Sequence, residues 1–433
     1  MAATYTGQLG QLLFRQYGEL ANPVAPSDMI ASDIDFIQND KRNGELYVFP
    51  LRFGLENGAT FNNDHTAYAL GSASAAAYQQ AQLRGSEMTI VADIAYADMT
   101  SLSPNRGRSS RGYDQGVGLK IVNTSDSAVQ KRDMMLLYGP NDNGAVTIGV
   151  VAAVGAYVAA NPVQISITAA SYIPGFWQEA IGVKVELFST TAGATPRVTA
   201  PAFATVTAVD RDNALVTLTP STVWASSPTA GDVIYFFGSR AVSMAGLQCI
   251  AENAGTLFNV SAVTYPQWKA VQYAVGGTAL TFDAVTEGLS AVADNGLSDG
   301  ATLYVNPRTW NDLMTDQAAL RRRIEDESTA KAGYSKLKFE MQCGIVEIKA
   351  HKYVKQSLAF AIPTQECHRI GSTDITFTAP GSPNKYFWLE LPSNNGAQIR
   401  CYSDQAVVSE NPSHICLFTG IVSTAQVNPG TPA

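Results

Sequence analysis

Apolar residues recur at intervals of three and four through residues 109–139, a spacing typical of one face of a long helix. A helix of about 25 residues would be about 38 Å long at 1.5 Å per residue, so we expect it to support other elements. Gly139 and Pro140 predict its end, because glycine accepts a left-handed conformation and proline cannot continue a helix. Polar residues such as Asp133 are expected mostly away from the apolar stripe. The predicted stripe consists of Val117, Ile121, Val122, Ala128, Val129, Met135 and Leu136.

Two segments before this helix alternate apolar and polar residues, as half-buried strands do. They are residues 45–53 (ELYVFPLRF) and residues 87–96 (EMTIVADIAY). Between them, residues 54–85 are rich in Gly, Asn, Ala and Gln and contain no lysine. The simplest assembly pairs the two strands in a long hairpin with a wide, mobile tip. Because two strands alone are marginally stable in water, this hairpin needs a partner surface, and the chain offers no obvious one.

The hundred residues from 141 to 240 have a different character, since only ten of them are charged and strand patterns dominate. Residues 205–209 and 215–219 flank a polar turn and predict a hairpin. Trp177 is a candidate core anchor. We predict a small β-barrel or sandwich, inserted into the rest of the chain because helical patterns resume on both sides of it.

The remaining segments predict an α+β region flanked by two loose termini. Residues 244–258 and 281–297 have helical spacing, the second with Thr281 as its N-cap and Asn295-Gly296 as its end. Residues 301–314 predict a buried strand, a proline turn and a helix, and strands dominate from there to the C-terminus. Residues 1–44 are interpreted as an extended arm with little core to bury, and the residues after Val422 as a frayed tail.

The length, charge and cysteine content of the chain exclude several classes of protein. A length of 433 residues predicts two or three subdomains. The net charge of −8 argues against a dedicated nucleic-acid binder, which normally carries a basic stripe. Five scattered cysteines do not make a disulfide framework and fit folding in a cytosol. No targeting segment is visible, and the apolar residues 146–160 are too few to span a bilayer.

A search for catalytic motifs finds no phosphate loop, nucleophile elbow, zinc-protease helix or dinucleotide fingerprint. Cys367-His368 and His414/Cys416 bring sulfur and nitrogen donors together, but their spacing is poor for zinc and ordinary packing explains them. Asp210 and Asp212 fit turn chemistry as well as a cation site. We therefore expect no enzyme activity, no cofactor and no metal. The mixed charges of residues 321–327 (RRRIEDE) suit either a solvated helix face or a salt-bridge site between subunits.

The order of these elements resembles the major capsid protein of tailed double-stranded DNA bacteriophages, with the Hong Kong 97-like fold. The resemblance rests on the two strands that flank a long loop, on the long helix of residues 113–139, and on LFNVSAVTYPQWKAVQ, DGATLYVNPRTWNDL and FEMQCGIVEIKAHKYVKQSLAFAIP. It covers most of the chain outside residues 141–240 and is similar to family members that carry an inserted β domain. No single motif is diagnostic, so the match is one of order and pattern.

The resemblance implies an α+β capsid fold and a division of the chain. The implied parts are an N-terminal arm (1–44), an E-loop hairpin lying on a neighbouring subunit (45–100), linker and spine helix of the peripheral domain (101–140), the inserted β domain (141–240), the peripheral domain continued (241–280), an axial domain (281–400), and a return strand with the C-terminal tail (401–433).

The resemblance also implies a virion protein that is assembled in the host cytoplasm as hexamers and pentamers of an icosahedral shell around packaged DNA. An acidic chain fits this role, since the shell should only weakly contact the genome. Implied partners are other copies, a portal, a decoration protein and, because only about 44 residues precede the hairpin, a separate scaffolding protein. No membrane partner is expected. Candidate intersubunit contacts are Arg52, Glu56, Arg321, Arg322, Arg323, Glu325 and Asp326.

Two features depart from some relatives or leave room for another role. Some relatives crosslink an E-loop lysine to a neighbouring asparagine; the absence of lysine from 54 to 85 predicts noncovalent stabilisation here. A β-rich tail-tube or decoration protein is the alternative function, but it does not explain the long helix. A polysaccharide-degrading enzyme would need a convergent carboxylate pair, which the sequence does not show.

Overall fold

The computed structural model describes residues 30–38, 42–43, 46–63, 65, 67–73, 75–95, 110–141, 146–193, 195–240, 242–316, 337–378, 388–390 and 395–432. Within them the chain is a mixed α+β protein, as the sequence predicts. Its α-helices are Ser110–Tyr138 (α1), Pro174–Trp177 (α2), Leu247–Ala251 (α3), Phe282–Asp294 (α4) and Pro307–Thr315 (α5).

The strands of the described residues form four sheets of three or more strands, together with a short two-stranded pair. In chain order they are Asp35–Gln38 (β1), Arg42–Asn43 (β2), Leu46–Arg52 (β3), Tyr78–Arg84 (β4), Ser86–Ala95 (β5), Gly149–Val154 (β6), Val163–Ile167 (β7), Lys184–Phe188 (β8), Ala204–Asp210 (β9), Leu215–Pro220 (β10), Val233–Phe236 (β11), Thr256–Leu257 (β12), Val260–Ser261 (β13), Val271–Ala274 (β14), Ala301–Val305 (β15), Leu337–Met341 (β16), Gly344–Ala350 (β17), Ala359–Ile362 (β18), Cys367–Thr376 (β19), Trp388–Glu390 (β20), Gly396–Ser409 (β21) and Cys416–Thr419 (β22).

The long helix α1 has the predicted extent, but only part of the predicted stripe, namely Ala128, Met135 and Leu136, is buried. Its 29 residues make a rod of about 44 Å. Ile121 and Val122, expected in the core, are exposed, whereas Asp133, expected outside, is fully buried. The reason is that the last turn, Met134–Tyr138, enters the protein interior and is buried on all sides, so a stripe along one face is not what holds this helix.

Gly139 does end α1, but for a different reason from the one predicted. Its N–H donates to the Met135 carbonyl at 2.7 Å, and its φ is not positive. A Cβ on Gly139 would instead collide with the backbone carbonyl oxygens of Met244 and Met135. Glycine is therefore required because two backbone segments approach each other closely here.

A hydrogen-bonded cluster surrounds the buried end of α1. The Tyr138 hydroxyl donates to the Tyr353 carbonyl at 3.0 Å and accepts from the Lys355 N–H at 2.8 Å. The Lys355 ammonium lies over the Tyr138 ring and donates to the Thr147 carbonyl and to Gln248 Oε1, each at 2.8 Å. Complete burial lowers the pKa of Lys355 to about 7. The hydrogen bonds to Thr147 and Gln248 replace those that the ammonium group would make with water, and they hold the side chain in place.

A closed six-stranded barrel, in the order β10-β7-β6-β11-β8-β9, occupies the segment for which the sequence predicts a barrel or sandwich. Trp177 is fully buried against Gly149 of β6, and Phe176 packs edge-on to Phe236 with ring centroids 5.3 Å apart. The predicted hairpin of residues 205–219 is β9 paired with β10. The barrel core is continuous with the cluster that buries Met134–Tyr138 and Phe360, so the barrel shares one interior with the rest of the chain.

A six-stranded mixed sheet, in the order β14-β22-β18-β15-β17-β16, carries α4 and α5. The Thr281 hydroxyl caps α4 by accepting from the Ala284 N–H, as predicted, and Val285, Leu289 and Val292 are buried. The helix predicted over 244–258 is wrong beyond Ala251, since Leu257 lies in strand β12. Asn253 and Gly255 interrupt it, because the Asn253 side chain accepts the Gly255 N–H in a local turn.

In their described parts, the two terminal segments are less loose than the sequence indicates; residues 1–29 of the expected arm lie outside the described residues. Residues 30–38 of the expected arm pack into the core through Ile30, Ala31 and Ile34, and β1 pairs in parallel with β19. The tail after Val422 crosses from α5 to the barrel, because Thr424 donates to Asp312 and the Gly430 N–H to the Asn213 carbonyl. Both interpretations missed tertiary hydrogen bonds that short polar segments form with distant residues.

Replacing Gly139 with Ala tests the close approach at the end of α1. We expect Gly139→Ala to lower the free energy of unfolding by about 3 kcal/mol, because the new methyl group must displace backbone atoms. Gly255→Ala is the matched control, since a Cβ there meets nothing within 4 Å. Denaturant titration of both variants measures the difference; equal midpoints would contradict the steric explanation.

Candidate functional site: a projecting hairpin

The hairpin predicted from the two alternating strands exists in a different pairing. Strand β3 pairs antiparallel with β4, with Tyr47 opposite Leu83 and Arg52 opposite Tyr78. The segment predicted as its partner, β5, pairs instead with β21 over ten residues. Strand β4 (YQQAQLR) was not predicted, because its three glutamines are typical of a loop. The apolar residues Ala81 and Leu83 lie two positions apart, as on one face of a strand, and both are buried in the structure. This alternation is the sequence signal that predicts β4.

The base of the hairpin packs on its own chain, contrary to the expectation that this chain offers no partner surface. Tyr47 and Leu83 are buried in a cluster with Trp268 and Val408. Phe53, at the end of β3, stacks on Tyr265 with ring centroids 4.4 Å apart and meets Trp268 edge-on. The two-stranded base is therefore anchored by aromatic packing, which a hairpin alone in water lacks.

A buried hydrogen-bond cluster fixes the direction in which the hairpin leaves the body. The Tyr47 hydroxyl donates to Asp404 Oδ2 at 2.8 Å and accepts from the Ser372 N–H at 3.1 Å. The Ser372 hydroxyl donates to the same carboxylate oxygen at 2.8 Å. Gly85 separates β4 from β5 at this point, and a Cβ on it would lie 2.7 Å from Asp404 and 2.8 Å from the Tyr47 ring. The chain thus changes sheets where only glycine fits.

Beyond Phe53 the two legs of the hairpin continue side by side as a ribbon. The Phe53 N–H donates to the Ala77 carbonyl at 2.8 Å, and the Gly71 N–H to the Thr60 hydroxyl at 2.9 Å. A Cβ on Gly58 would lie 3.5 Å from the Ala73 Cα. The described residues between these contacts are almost all exposed. The ribbon is therefore organised by its own contacts and projects from the body.

The projecting ribbon exposes apolar side chains. Phe61 is 94% exposed and Leu70 82%, and Leu55 and Tyr68 are also exposed. Residues 53–77 contain only two charged residues, Glu56 and Asp64, besides one histidine. Large apolar groups left in water along an uncharged ribbon are typical of a surface that another protein covers. We call the described part of residues 54–77 the tip ribbon.

The candidate contact residues are divided by the structure. Arg52 and Glu56 are both exposed, Arg52 at the end of β3 and Glu56 in the tip ribbon. Arg321, Arg322, Arg323, Glu325 and Asp326 lie outside the described residues. The role of these seven residues as intersubunit contacts stays a prediction. Sequence reasoning missed the packing of Phe53 on Tyr265 and Trp268, both of which lie more than 200 positions after Phe53 in the chain.

The cysteine and histidine pairs considered for zinc or nucleophilic chemistry are separated by the strands that carry them. Strand alternation buries Cys367 and directs His368 to Glu410, 3.2 Å away. His414 instead pairs with Glu366, with Nδ1 2.8 Å from Oε2. Burial raises the pKa of both Cys367 and Cys416 to about 12, which disfavours the reactive thiolate. Among the described residues, no group of three or more His, Cys, Asp or Glu side chains is arranged to hold a metal ion.

Two further expectations concern turn chemistry and membranes. Asp210 accepts from the Asp212 N–H at 3.0 Å and from the Asn213 side chain at 2.8 Å, so turn formation explains this carboxylate. In the part of the chain that the structure describes, no helix has both the length and the apolar character needed to cross a bilayer.

No protein-family model and no curated protein sequence matches this chain. Its fold is similar to a chain of the capsid asymmetric unit of cyanophage A-1(L), with a TM-score of 0.52 and 10% identity over 94% of this chain and 97% of that one. A capsid chain of the native GTA particle follows, with a TM-score of 0.48 and 8% identity over 98% and 100%. The SrpI encapsulin of Synechococcus elongatus PCC 7942 has a TM-score of 0.42 and 7% identity over 98% of each chain.

The chain has the fold of a bacteriophage capsid protein. The similarity to the cyanophage capsid chain extends over nearly the whole of both chains. At 10% identity the similarity concerns the fold alone. The resemblance predicted from the order of the elements is confirmed at that level.

The hydrogen bond between Tyr47 and Asp404 can be tested by removing one hydroxyl. We expect Tyr47→Phe to lower the free energy of unfolding by about 1 to 3 kcal/mol, because the buried carboxylate of Asp404 loses a donor. Tyr78→Phe is the matched control, since Tyr78 lies exposed at the other end of the same hairpin. If denaturant midpoints fall equally in the two variants, the cluster at Tyr47 does not anchor the hairpin.

Proposed function

We propose that this chain is the major capsid protein of a tailed double-stranded DNA bacteriophage. In this role it assembles as hexamers and pentamers into an icosahedral shell around the packaged genome. The observation that carries the proposal is a capsid-protein fold in which an apolar ribbon extends away from the protein's own core. Such a ribbon lowers the free energy of the system when a second copy covers it.

The tip ribbon suits contact between identical subunits. Its few charges impose little desolvation cost on burial, while Phe61 and Leu70 supply large apolar surfaces. The anchored base holds the ribbon in a defined direction, which reduces the conformational entropy lost on docking. A projecting element with a fixed direction and an uncovered apolar surface therefore supports the role of an E-loop that lies on a neighbouring subunit.

We also propose roles for the other parts of the fold. Helix α1 acts as the spine of the peripheral domain, the six-stranded sheet with α4 and α5 belongs to the axial domain, and the barrel is an insertion. Because barrel and body share one core, we expect the barrel to keep a fixed orientation on the shell. Arg52, Glu56 and the charged residues 321–326 are proposed as intersubunit contacts.

Partners follow from the proposed role. A separate scaffolding protein, a portal and a decoration protein are the proposed partners, and assembly takes place in the host cytoplasm. Since residues 54–85 contain no lysine, we propose that the shell is held by noncovalent contacts. The net charge of −8 favours only weak contact with the packaged DNA.

Electron microscopy of the purified full-length protein, alone and with its candidate scaffold, tests the function. We expect closed icosahedral shells, or rings of five and six copies, that dissolve to a single monomer band on a denaturing gel. Helical tubes would favour a tail-tube protein instead, and small monodisperse particles under all conditions would contradict a shell role. Heavy ladders on the gel would contradict noncovalent stabilisation while leaving the shell role intact.

The tip ribbon can be tested through Phe61. We expect Phe61→Ala to reduce assembly at least tenfold without changing the thermal stability of the unassembled chain, because the side chain is 94% exposed before assembly. Phe61→Leu is the matched control, since it keeps a large apolar group and should retain most assembly. Light scattering or sedimentation of the two variants measures the yield of assembled particles. Equal yields for both variants and the wild type would exclude Phe61 from the contact.

A further inference from the structure

Asp133, in the penultimate turn of α1, is a buried carboxyl group that the assembly proposal does not use. It is fully buried, and neither oxygen has a hydrogen-bond partner of good geometry among the described residues. A carboxylate in such a position costs free energy when it is ionised, because water is excluded and no well-formed hydrogen bond replaces it. A side chain of this kind in the middle of a packed interior calls for an explanation.

The turn that covers Asp133 belongs to the segment Ile30–Gln38, which we call the arm anchor. Ile30 and Ala31 are buried against α1, and the backbone N–H of Ala31 faces the Asp133 carboxyl group. From there the anchor runs on to β1, whose residues pair with β19. The 29 residues before it lie outside the described residues.

Three positively charged side chains lie near Asp133, but each already has a carboxylate partner. Arg132, on the same helix, and Arg369, on β19, both bind Asp374, at 2.9 and 3.1 Å. Lys352, in the segment after β17, pairs with Glu179 at 3.3 Å. The Arg132 Nε lies 3.8 Å from Asp133 Oδ1, too far for a hydrogen bond, and Tyr353 is the other titratable neighbour. The surroundings therefore only partly compensate a charge on Asp133.

The balance of these effects favours the neutral acid. Burial raises the pKa of Asp133 to about 7 from its usual value of 3.8, against the opposing influence of Arg132, Arg369 and Lys352. The docked state therefore binds a proton that a state with Asp133 in water does not hold between these two values. Docking of the segment above Asp133 is most stable at low pH and weakens as the pH rises toward 7.

We infer that Asp133 is a proton-controlled latch for the arm anchor: with a neutral carboxyl group the anchor stays docked on α1, and ionisation favours its release. Release of the anchor also breaks the hydrogen bonds that join it to the rest of the body. The Tyr304 hydroxyl and the Lys349 ammonium bind Asp33 at 2.7 and 2.9 Å, and Arg369 donates to the Ile34 carbonyl. These bonds join the anchor to the six-stranded sheet and to β19. Release at Asp133 therefore loosens the link that the anchor makes between two parts of the fold.

Hydrogen exchange of the full-length, unassembled protein tests the latch. The readout is the protection factor of amides in residues 33–38, corrected for the intrinsic exchange rate at each pH; the Asp33 N–H and the β1 ladder provide protected amides. Between pH 5.5 and pH 8 we expect the opening equilibrium of the wild-type anchor to rise about 30-fold, from one proton whose pKa is 3.8 when open and about 7 when docked. Protection elsewhere, in the barrel for example, should change much less.

Asp133→Asn keeps the shape of the side chain and removes its titration. In this variant we expect the anchor to open to nearly the same extent at both pH values. Asp126→Asn is the matched control, since it makes the same chemical change on an exposed position of the same helix and should retain the wild-type pH dependence. Equal wild-type protection at pH 5.5 and pH 8 overturns the latch even if Asp133→Asn does not fold. An unchanged pH dependence in Asp133→Asn overturns it as well.

Discussion

The structure depends on the burial of the last turn of α1, where Met134–Tyr138 enter the common core. This single turn joins the barrel, the segment after β17 and the six-stranded sheet, because the core cluster around it contains residues of all three. Tyr138 and Lys355 supply the polar contacts that such burial requires: every hydrogen bond they make replaces one lost to water. Gly139 then allows the chain to leave this crowded point without a steric clash.

Short segments far apart in the sequence secure this arrangement from outside. The arm anchor crosses from the six-stranded sheet to β19, and the C-terminal segment crosses from α5 to the barrel turn at Asn213. Neither segment contains a long element of its own, so each is held by tertiary hydrogen bonds and a few buried apolar residues. Segments held in this way are the ones whose docking a single ionisable group such as Asp133 can bias.

The tip ribbon contrasts with this well-packed body. Its base is held by the same kinds of interaction as the rest of the fold, namely aromatic stacking at Phe53 and a buried hydrogen-bond cluster at Tyr47. Beyond the base, large apolar side chains remain in water, with Phe61 94% and Leu70 82% exposed. A chain that fixes the direction of a ribbon while leaving its surface uncovered is suited to assembly with copies of itself, which is the role proposed for the capsid-protein fold found here.

The sequence by itself determined the elements whose signals are local: the extent of α1, the Thr281 cap of α4, the β9–β10 hairpin and the order that resembles a capsid protein. The helix, the cap and the hairpin each depend on residues close together in the chain, so spacing and turn chemistry suffice, and the order follows once such elements are located. The partners of β3 and β5, the docked termini, the burial of Asp133 and the reason for Gly139 were decided only by the tertiary structure. Those features depend on contacts between residues that are up to 335 positions apart, and the free energy of such contacts comes from burial and hydrogen bonds that no local pattern records.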